Sequence, residues 1–570
     1  MDQAAILHMP DSNYCFPVAK DRLVLRLRVL RKDEFVSVAV LYSAKFSLDR
    51  GERLQPMARE YEDELFAYYE TTLSLDDTRV EYAFRLEGKG QPPVFYSEEG
   101  FSSSFDLKRD HFSAFQLPFI NQADVIKVPS WVPKARFYQI FVDRFYKGKK
   151  DKDQSYVNMA WGDRPTYHGF AGGDLDGIRA KLDYLEDLGI NALYLTPIFK
   201  SPTNHKYDIV DYYQVDPQFG TNEELRSLVR EAHQKGIKIV LDGVFNHCSE
   251  QNPIFQDVER RGRESPYHDW FMVHGDKADP KARNYETFAF ATNMPKLNTN
   301  NPEVQKYICD IGAHYVSAYD IDGWRLDVSD EVSHFLWRKF REAVKNLKPD
   351  AIIFGENWHN AYPFLLGDQF DSVMNYSFTK ATIDYLTRPL SAQAIAAKLN
   401  GLLIRDKWPV DLMMLNLLDS HDTPRLLRQL NGDKDKMLLG LALLYMYPGM
   451  PCIYYGTELA MDGGQDPDCR RCFPWEEVGE RTPFNLTLRK LIKLKDLAPV
   501  QDGKALIRAE GALLSLARIK DGQEVVLLAN MSDRPQAFLS QGQELVVNLA
   551  NGNSIAPKGF VIFGKKAALA

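Results

Sequence analysis

Cysteine is scarce. The 570 residues contain six, at Cys15, Cys248, Cys309, Cys452, Cys469 and Cys472, too few and too scattered for a disulfide framework. Small secreted domains depend on such frameworks because their cores are small, so a reducing compartment fits this chain better. A charge excess is missing as well: 70 Lys and Arg against 78 Asp and Glu leave a formal net charge of −8. That balance favours neither a polyanion nor an anionic membrane surface, and nucleic acid is not an expected partner. The opening MDQAAILHMPDSNY has no basic n-region, apolar h-region or small-residue cleavage site, so a cytoplasmic protein is expected. One uncharged, largely apolar run, Leu438 to Tyr455, is long enough to suggest a membrane span, but Pro448, Gly449 and Pro451 break it. A buried helix ending near Tyr447, a tight turn and a buried strand account for it without lipid.

With 45% hydrophobic and 12% aromatic residues the composition is globular, not disordered. Over the first 130 residues apolar and polar positions alternate. Leu23, Leu25, Leu27 and Val29 point one way, and Val36, Val38 and Val40 follow a Lys32-Asp33 turn, a hairpin pattern. Val80, Tyr82, Phe84 and Leu86 repeat the period, so an N-terminal β-sandwich is expected over 1–130. From about Arg136 short apolar runs (FYQIF, NALYLTPI, IKIVLDGV, DGWRLDV, AIIFGEN, FDSVMNY, LMMLNLL, PCIYYG) alternate with helical patterns. Thr221 and Glu224 form a capping box before the stripe Leu225, Leu228, Val229 and Ala232. Asn301 and Pro302 open another helix, with Val304, Ile308, Ile311 and Tyr315 on one face. This repetition predicts an α/β fold, a (β/α)₈ barrel over 131–497. The long polar stretch 245–300 reads as a small domain inserted after the third strand, and renewed alternation over 498–570 as a C-terminal β-sandwich.

Such barrels carry their chemistry where strands end. In order, those ends supply Asp242, Asn246 and His247, then Arg325 and Asp327, then Glu356, then His421 and Asp422. Any one of these is explained by a helix cap or an ion pair; their convergence on one rim is not, because burying so many polar groups costs stability that function usually repays. Two carboxylates flanking a glycosidic bond suffice for its hydrolysis, one protonating the leaving oxygen and the other attacking the anomeric carbon or activating water. Asp327 and Glu356 are candidates for this pair. Asp422 is placed to bind sugar hydroxyls and raise the acid's pKa, and Arg325 to keep the nucleophile ionised. No metal or cofactor is required. Tyr207 and Trp358 offer stacking faces for pyranose rings, whereas Trp324 and Phe245, set in apolar runs, read as core.

DGVFNH (242–247), GWRLDVSDEV (323–332), GENWH (355–359) and LLDSHDTPR (417–425) resemble the four main motifs of the α-amylase family of glycoside hydrolases. MPKLN (294–298), GGQDPDCRRCFPW (463–475), SPTNHKYDIVDYY and FAGGDLDGI are similar to the narrower neopullulanase, cyclomaltodextrinase and maltogenic amylase group, and the resemblance spans essentially the whole chain. It implies a retaining enzyme with Asp327 as nucleophile, Glu356 as general acid/base and Asp422 as transition-state stabiliser. Arg325 and Asp242 would support the nucleophile, His247 and His421 would bind hydroxyls, and Tyr207 would stack beneath the sugar. Retention implies carboxyl groups about 5–5.5 Å apart. The expected substrates are cyclomaltodextrins, maltooligosaccharides and pullulan, with α-1,4 and some α-1,6 cleavage. The resemblance also implies a homodimer in which the N-terminal module narrows the partner's cleft. Alternatives are a transglycosylating enzyme of the same superfamily and a non-catalytic carbohydrate-binding protein on the same fold, the latter disfavoured because all three acids are present.

Relatives often carry a calcium-binding loop after the first strand. Here the stretch is YKGKKDKDQS, with Lys147, Lys149 and Lys152 at ligand positions although Asp151, Asp153 and Asp174 remain. Ammonium groups repel a hard cation, so no structural calcium is expected there. The Cys469-x-x-Cys472 pair lacks the partners of a zinc or thioredoxin site and reads as a loop shaping the active site. His205 either lines the sugar site or bonds a loop, and His168 and His233 read as structural or solvated.

Overall fold

The eight apolar runs become eight parallel strands: β1 (Phe137–Ile140), β2 (Ala192–Leu195), β3 (Lys238–Gly243), β4 (Gly323–Leu326), β5 (Ile352–Gly355), β6 (Ser372–Val373), β7 (Leu415–Asn416) and β8 (Met450–Tyr454). Their order in the sheet is β6-β5-β4-β3-β2-β1-β8-β7. A parallel bridge between Met374, just beyond β6, and Leu415 in β7 closes the ring. The structure is a computed structural model that describes residues 1–46, 51–149, 151–479, 481–539 and 542–565. They form two compact units, one of Met1–Val128, Leu390–Asp411 and Ala505–Ala517, the other of Pro129–Pro389, Leu412–Lys504 and Arg518–Ala570.

Local signals explain the barrel helices. Asn222–Gln234 begins at Thr221, whose side chain accepts from Glu224 N–H while the Glu224 carboxylate accepts from the Thr221 backbone, the expected capping box. Pro302–Tyr319 starts at the Asn301 cap and buries Val304, Ile308, Ile311 and Tyr315. The uncharged run near residue 440 resolves into the helix Lys434–Met446, with every residue from Met437 onward buried, followed by β8. Among the described residues no helix is long and apolar enough to cross a membrane. After β3 the chain forms the helix Pro253–Arg261 and a short hairpin, Thr287–Phe288 with Ala291–Pro295. At the C-terminus, strand Ser554–Lys565 pairs with both Gln523–Asn530 and Gln543–Asn551.

The N-terminal unit contains two sheets, and one expectation changes here. Strand Arg22–Leu30 lies between Cys15–Ala19 and Phe66–Ser74, whereas Phe35–Ala44 lies between Arg53–Pro56 and Val80–Gly88. The two strands around the Lys32-Asp33 turn are therefore an arch between sheets, not a hairpin. Both bury one alternating set (Leu23, Leu25, Leu27, Val29; Val38, Val40) in one core with Tyr82, Phe84 and Leu86. Alternation reports which face is buried, not which strand lies alongside. The pairing register also shifts between Phe35 and Ser37, and Val36 turns outward to 67% exposure.

At the end of the barrel opposite the strand C-termini, Asp322 enters β4 from a buried polar cluster. Its carboxylate accepts from Ile239 N–H at 2.9 Å and faces His233 Nε2 at 2.6 Å, Lys348 Nζ at 2.9 Å and Lys238 Nζ at 3.0 Å. His233 is thus structural. Burial alone would raise the Asp322 pKa, but its hydrogen bond and charge pairing with His233, with help from Lys348 and Ile239, bring it down to about 2 from 3.8. A depressed carboxyl stabilises the fold above its unfolded pKa and loses that contribution as pH falls towards the folded value. Asp322→Asn should therefore cost about 1–3 kcal/mol at neutral pH, since it removes the buried charge that His233, Lys238 and Lys348 share and weakens the bond to Ile239 N–H. In urea unfolding series, the gap between wild type and variant should shrink as pH drops from about 4 towards 2; a gap independent of pH would contradict this account.

Candidate active site

Strand register assembles the site before any side chain is considered. Asp242 in β3 sits opposite Arg325 in β4, and Leu326 opposite Gly355 in β5, so the residues that follow, Asp327 and Glu356, end adjacent strands at the same level. Backbone bonds from Asp327 N–H to Gly243 O (3.1 Å) and from Glu356 N–H to Leu326 O (2.8 Å) extend both ladders one residue further. Side chains alternate along β4: Arg325 and Asp327 face the barrel mouth, while Trp324 packs outward against Tyr315, Phe245 and Phe340, as expected of core. Gly355 is required, because a Cβ there would lie 2.4 Å from Ser329 Oγ and 2.7 Å from the Phe370 ring.

The centre is a guanidinium. Arg325, fully buried, places Nη1 2.9 Å from Asp242 Oδ1 and 2.6 Å from Asp327 Oδ1, and Nη2 2.9 Å from Glu356 Oε2. Asp242 also accepts from Tyr194 OH at 2.7 Å and Tyr207 OH at 2.9 Å. Burial pushes the Asp242 carboxyl up to about 6, against the pull of Arg325 and the two tyrosines. It raises Asp327 too, where Arg325 opposes the shift and Glu356 adds to it. At both aspartates burial favours the neutral form and the Arg325 charge the ionised one.

Glu356 is held at both oxygens, accepting from Trp358 Nε1–H at 3.1 Å and from Val328 N–H at 3.1 Å. Val328 reaches that oxygen because its backbone is left-handed (φ 44°, ψ 44°), a costly conformation for a β-branched residue and one that clusters at functional sites. One face of Trp358 stacks on Tyr376 (3.7 Å, 9°), and the residue remains 47% exposed.

His421 links the opposite wall. Gln139 Nε2–H donates to its Nδ1 at 2.7 Å, and its Nε2 faces Tyr207 OH at 2.5 Å and Asp422 Oδ2 at 3.2 Å. His247 shows Nε2 to the Tyr207 carbonyl at 3.1 Å and Nδ1 to Asn246 Nδ2 at 3.2 Å, with its ring stacked on Phe288. Burial holds both imidazoles neutral: His247 falls to about 3, and His421, which also feels Arg470 and Arg325, lies well below the usual range. His205 does both things considered for it, accepting at Nδ1 from Tyr207 N–H (3.1 Å) and lining the cavity.

These groups surround a cavity of about 360 Å³ whose wall includes Asp327, Glu356, Asp422, Tyr207, His247 and Trp358. Of the nine expected residues, Asp242, Arg325 and His421 lie behind this wall, in contact with residues that form it. Asp466, Arg470, Phe288 and Met294 also line it and were not singled out from sequence, although GGQDPDCRRCFPW and MPKLN contain three of them. Arg470 pairs with Asp466 at 3.0 Å, lies 3.6 Å from Asp422 and bonds the His421 carbonyl at 2.9 Å. Gln139 was legible as the one polar residue inside an apolar strand. Cys469 donates to the His421 carbonyl, and Cys472 packs with Met159 and Ala171, so this pair shapes the loop.

Two family models match this chain: the α-amylase catalytic domain over residues 139–498 and the α-amylase N-terminal Ig-like domain over 1–121. The chain belongs to the α-amylase family. It is 42% identical to a cyclomaltodextrinase of Thermoanaerobacter pseudethanolicus, covering 96% of each chain. It is 40% identical to neopullulanase 2 of Thermoactinomyces vulgaris, over 95% of this chain and 93% of that one. A solved cyclomaltodextrinase structure superposes with a TM-score of 0.90 at 36% identity, covering 100% of this chain and 98% of its own. The protein is therefore a glycoside hydrolase of this family, built on the expected (β/α)₈ barrel with β-domains before and after it.

The neutral histidines generate a prediction for this hydrolase. Because both imidazoles titrate far below neutrality, neither sets the acidic limb of a pH profile. His421→Asn should lower kcat/KM by about 10–100-fold, the worth of one or two buried hydrogen bonds, and leave the acidic limb where it is. A limb displaced by a unit or more in stopped assays from pH 4 to 8 would assign that proton to His421.

Proposed function

We propose that this enzyme hydrolyses α-1,4-glucosidic bonds, and some α-1,6 bonds, in cyclomaltodextrins, maltooligosaccharides and pullulan with retention of configuration. The observation that carries the reading is the seating of Asp327 and Glu356 on neighbouring nitrogens of one guanidinium at the floor of an open cavity. That seating favours the short carboxyl spacing of retaining enzymes over the wider gap that admits a water between acid and base. Asp327 attacks the anomeric carbon while Glu356 protonates the departing glycosidic oxygen, giving a glucosyl ester. Glu356, now a carboxylate, takes a proton from water, whose oxygen attacks the same carbon and releases Asp327. Asp422, the most open of the three acids, hydrogen-bonds ring hydroxyls as positive charge develops on the sugar. Trp358 and Tyr207 supply stacking faces.

The substrate class draws support from the relatives, among them the type III pullulan hydrolase from Thermococcus kodakarensis, which superposes with a TM-score of 0.83 at 28% identity over 98% of this chain and 100% of that one. A cytoplasmic location is part of the same reading. It is supported by an intracellular maltogenic amylase of Bacillus subtilis, 40% identical over 87% of this chain and 84% of that one, and by six free cysteines.

Chromatography of products from β-cyclodextrin, pullulan, maltotriose and soluble starch tests the substrate class: rapid opening of the cyclodextrin with starch slow is expected, and starch degraded fastest would replace this reading with an open-cleft amylase. Glu356→Gln should reduce kcat/KM, which reports the bond-breaking step, by about 10²–10⁴-fold on maltotriose, the usual share of general acid catalysis, and much less on maltosyl fluoride, whose leaving group needs no proton. Equal losses on both substrates would remove Glu356 from the acid role.

The proposed homodimer is tested separately. Sedimentation across the working concentration range should show a species of twice the 65.3 kDa chain; a monomer throughout would exclude a cleft shared between subunits.

A further inference from the structure

The loop after β1 carries a positive charge of its own. Lys152 Nζ lies 2.8 Å from Asp174 Oδ2, and its side chain is 7% exposed. The same ammonium donates to the carbonyl oxygens of Gly172 and Gln218, both at 2.9 Å. Its partners are otherwise well held. Asp174 Oδ1 accepts from Gly148 N–H at 2.9 Å and Gly177 N–H at 2.7 Å, and Tyr156 OH donates to the Gln218 carbonyl at 3.0 Å. The backbones here approach so closely that a Cβ on Gly148 would fall 2.2 Å from Gly177 N, and one on Gly173 2.2 Å from Val142 O. Three separate stretches of chain, near residues 148, 173 and 218, thus meet around one cation. The Gln218 side chain in turn receives the buried ammonium of Lys206, next to Tyr207, which joins this knot to the cavity wall.

One carboxylate oxygen and two carbonyl oxygens around a buried positive charge are donors of the kind a hard metal ion takes, part of the roughly six to eight oxygens that calcium gathers. A bound calcium of the kind the family resemblance implies does not fit these residues. Lys149 directs its ammonium to Glu224 at 2.7 Å, Lys152 fills the space the oxygens enclose, and among the described residues no three acids or histidines gather as a metal cluster. We propose that Lys152 is a tethered replacement for a metal ion. The fold is then independent of divalent cations, and shortening this side chain opens an oxygen cage that accepts calcium.

Thermal unfolding of the full chain in EDTA and in millimolar CaCl2 or MgCl2 tests this. Wild type should melt at one temperature in all three. Lys152→Asn should melt several degrees lower in EDTA and regain most of the loss in CaCl2, but less in MgCl2, because the smaller ion demands near-octahedral geometry and sheds water reluctantly. Lys152→Met, which fills the space without charge, should stay low in both. Three outcomes would overturn the proposal: a wild-type melting point that falls in EDTA, a Lys152→Asn protein as stable as wild type in EDTA, or one destabilised but unmoved by calcium. If neither variant folds, calorimetric titration of wild type with CaCl2 decides, since stoichiometric binding refutes a tethered replacement and absence of binding supports it.

Discussion

The catalytic end of this barrel is organised around one buried guanidinium. Arg325 carries a charge that no accessible pH removes, and it sits without solvent among three carboxylates. Removing four charges from water is expensive and only close, well-oriented pairing offsets it. Asp242 must therefore be locked by two tyrosines, Glu356 by an indole N–H and a backbone N–H, and Val328 must accept a left-handed conformation to deliver that last donor. Each constraint tightens the next, so Asp327 and Glu356 are placed at the cavity by a network that runs from its wall, at Tyr207 and Trp358, back to the buried Arg325 and Asp242.

The same guanidinium also works against the effect of burial on its acidic neighbours. Its one positive charge opposes the upward shift that burial gives the Asp242 and Asp327 carboxyls. The wall beyond contributes neutral hydrogen bonds. Gln139, His421 and Tyr207 form a buried relay that ends on Asp242, and the cationic Arg470 and Arg325 help keep His421 uncharged. A neutral imidazole can donate to a hydroxyl without adding a charge that would compete with Arg325 for the acids.

Much of this was legible before any coordinates. Barrel strands buried on both faces read as continuous apolar runs, and the polar residues closing them, Asp242, Asp327 and Glu356, stand out because they converge on one rim, which a helix cap or ion pair at each would not explain. Caps at Thr221 and Asn301 were readable because a capping box is a contact between residues three apart. What failed depended on distant neighbours. The strands flanking Lys32-Asp33 show perfect alternation yet enter different sheets, since alternation records a buried face and no partner. Asp466 and Arg470 escaped notice because they end no strand; only the folding back of the loop after β8 brings them to the cavity.

Sequence alone determined the element types, their order and the rim on which the acids lie, because periodicity, caps and strand-end polarity are local and the barrel follows from repeating them. Tertiary structure decided that Arg325 serves three acids at once, that both histidines are buried and neutral, that Trp358 has one face already taken by Tyr376, and that Lys152 sits inside an oxygen cage. Those outcomes rest on register between strands and on the water excluded when distant segments close together. Neither quantity exists until the chain is folded, and both govern how strongly one charge feels another.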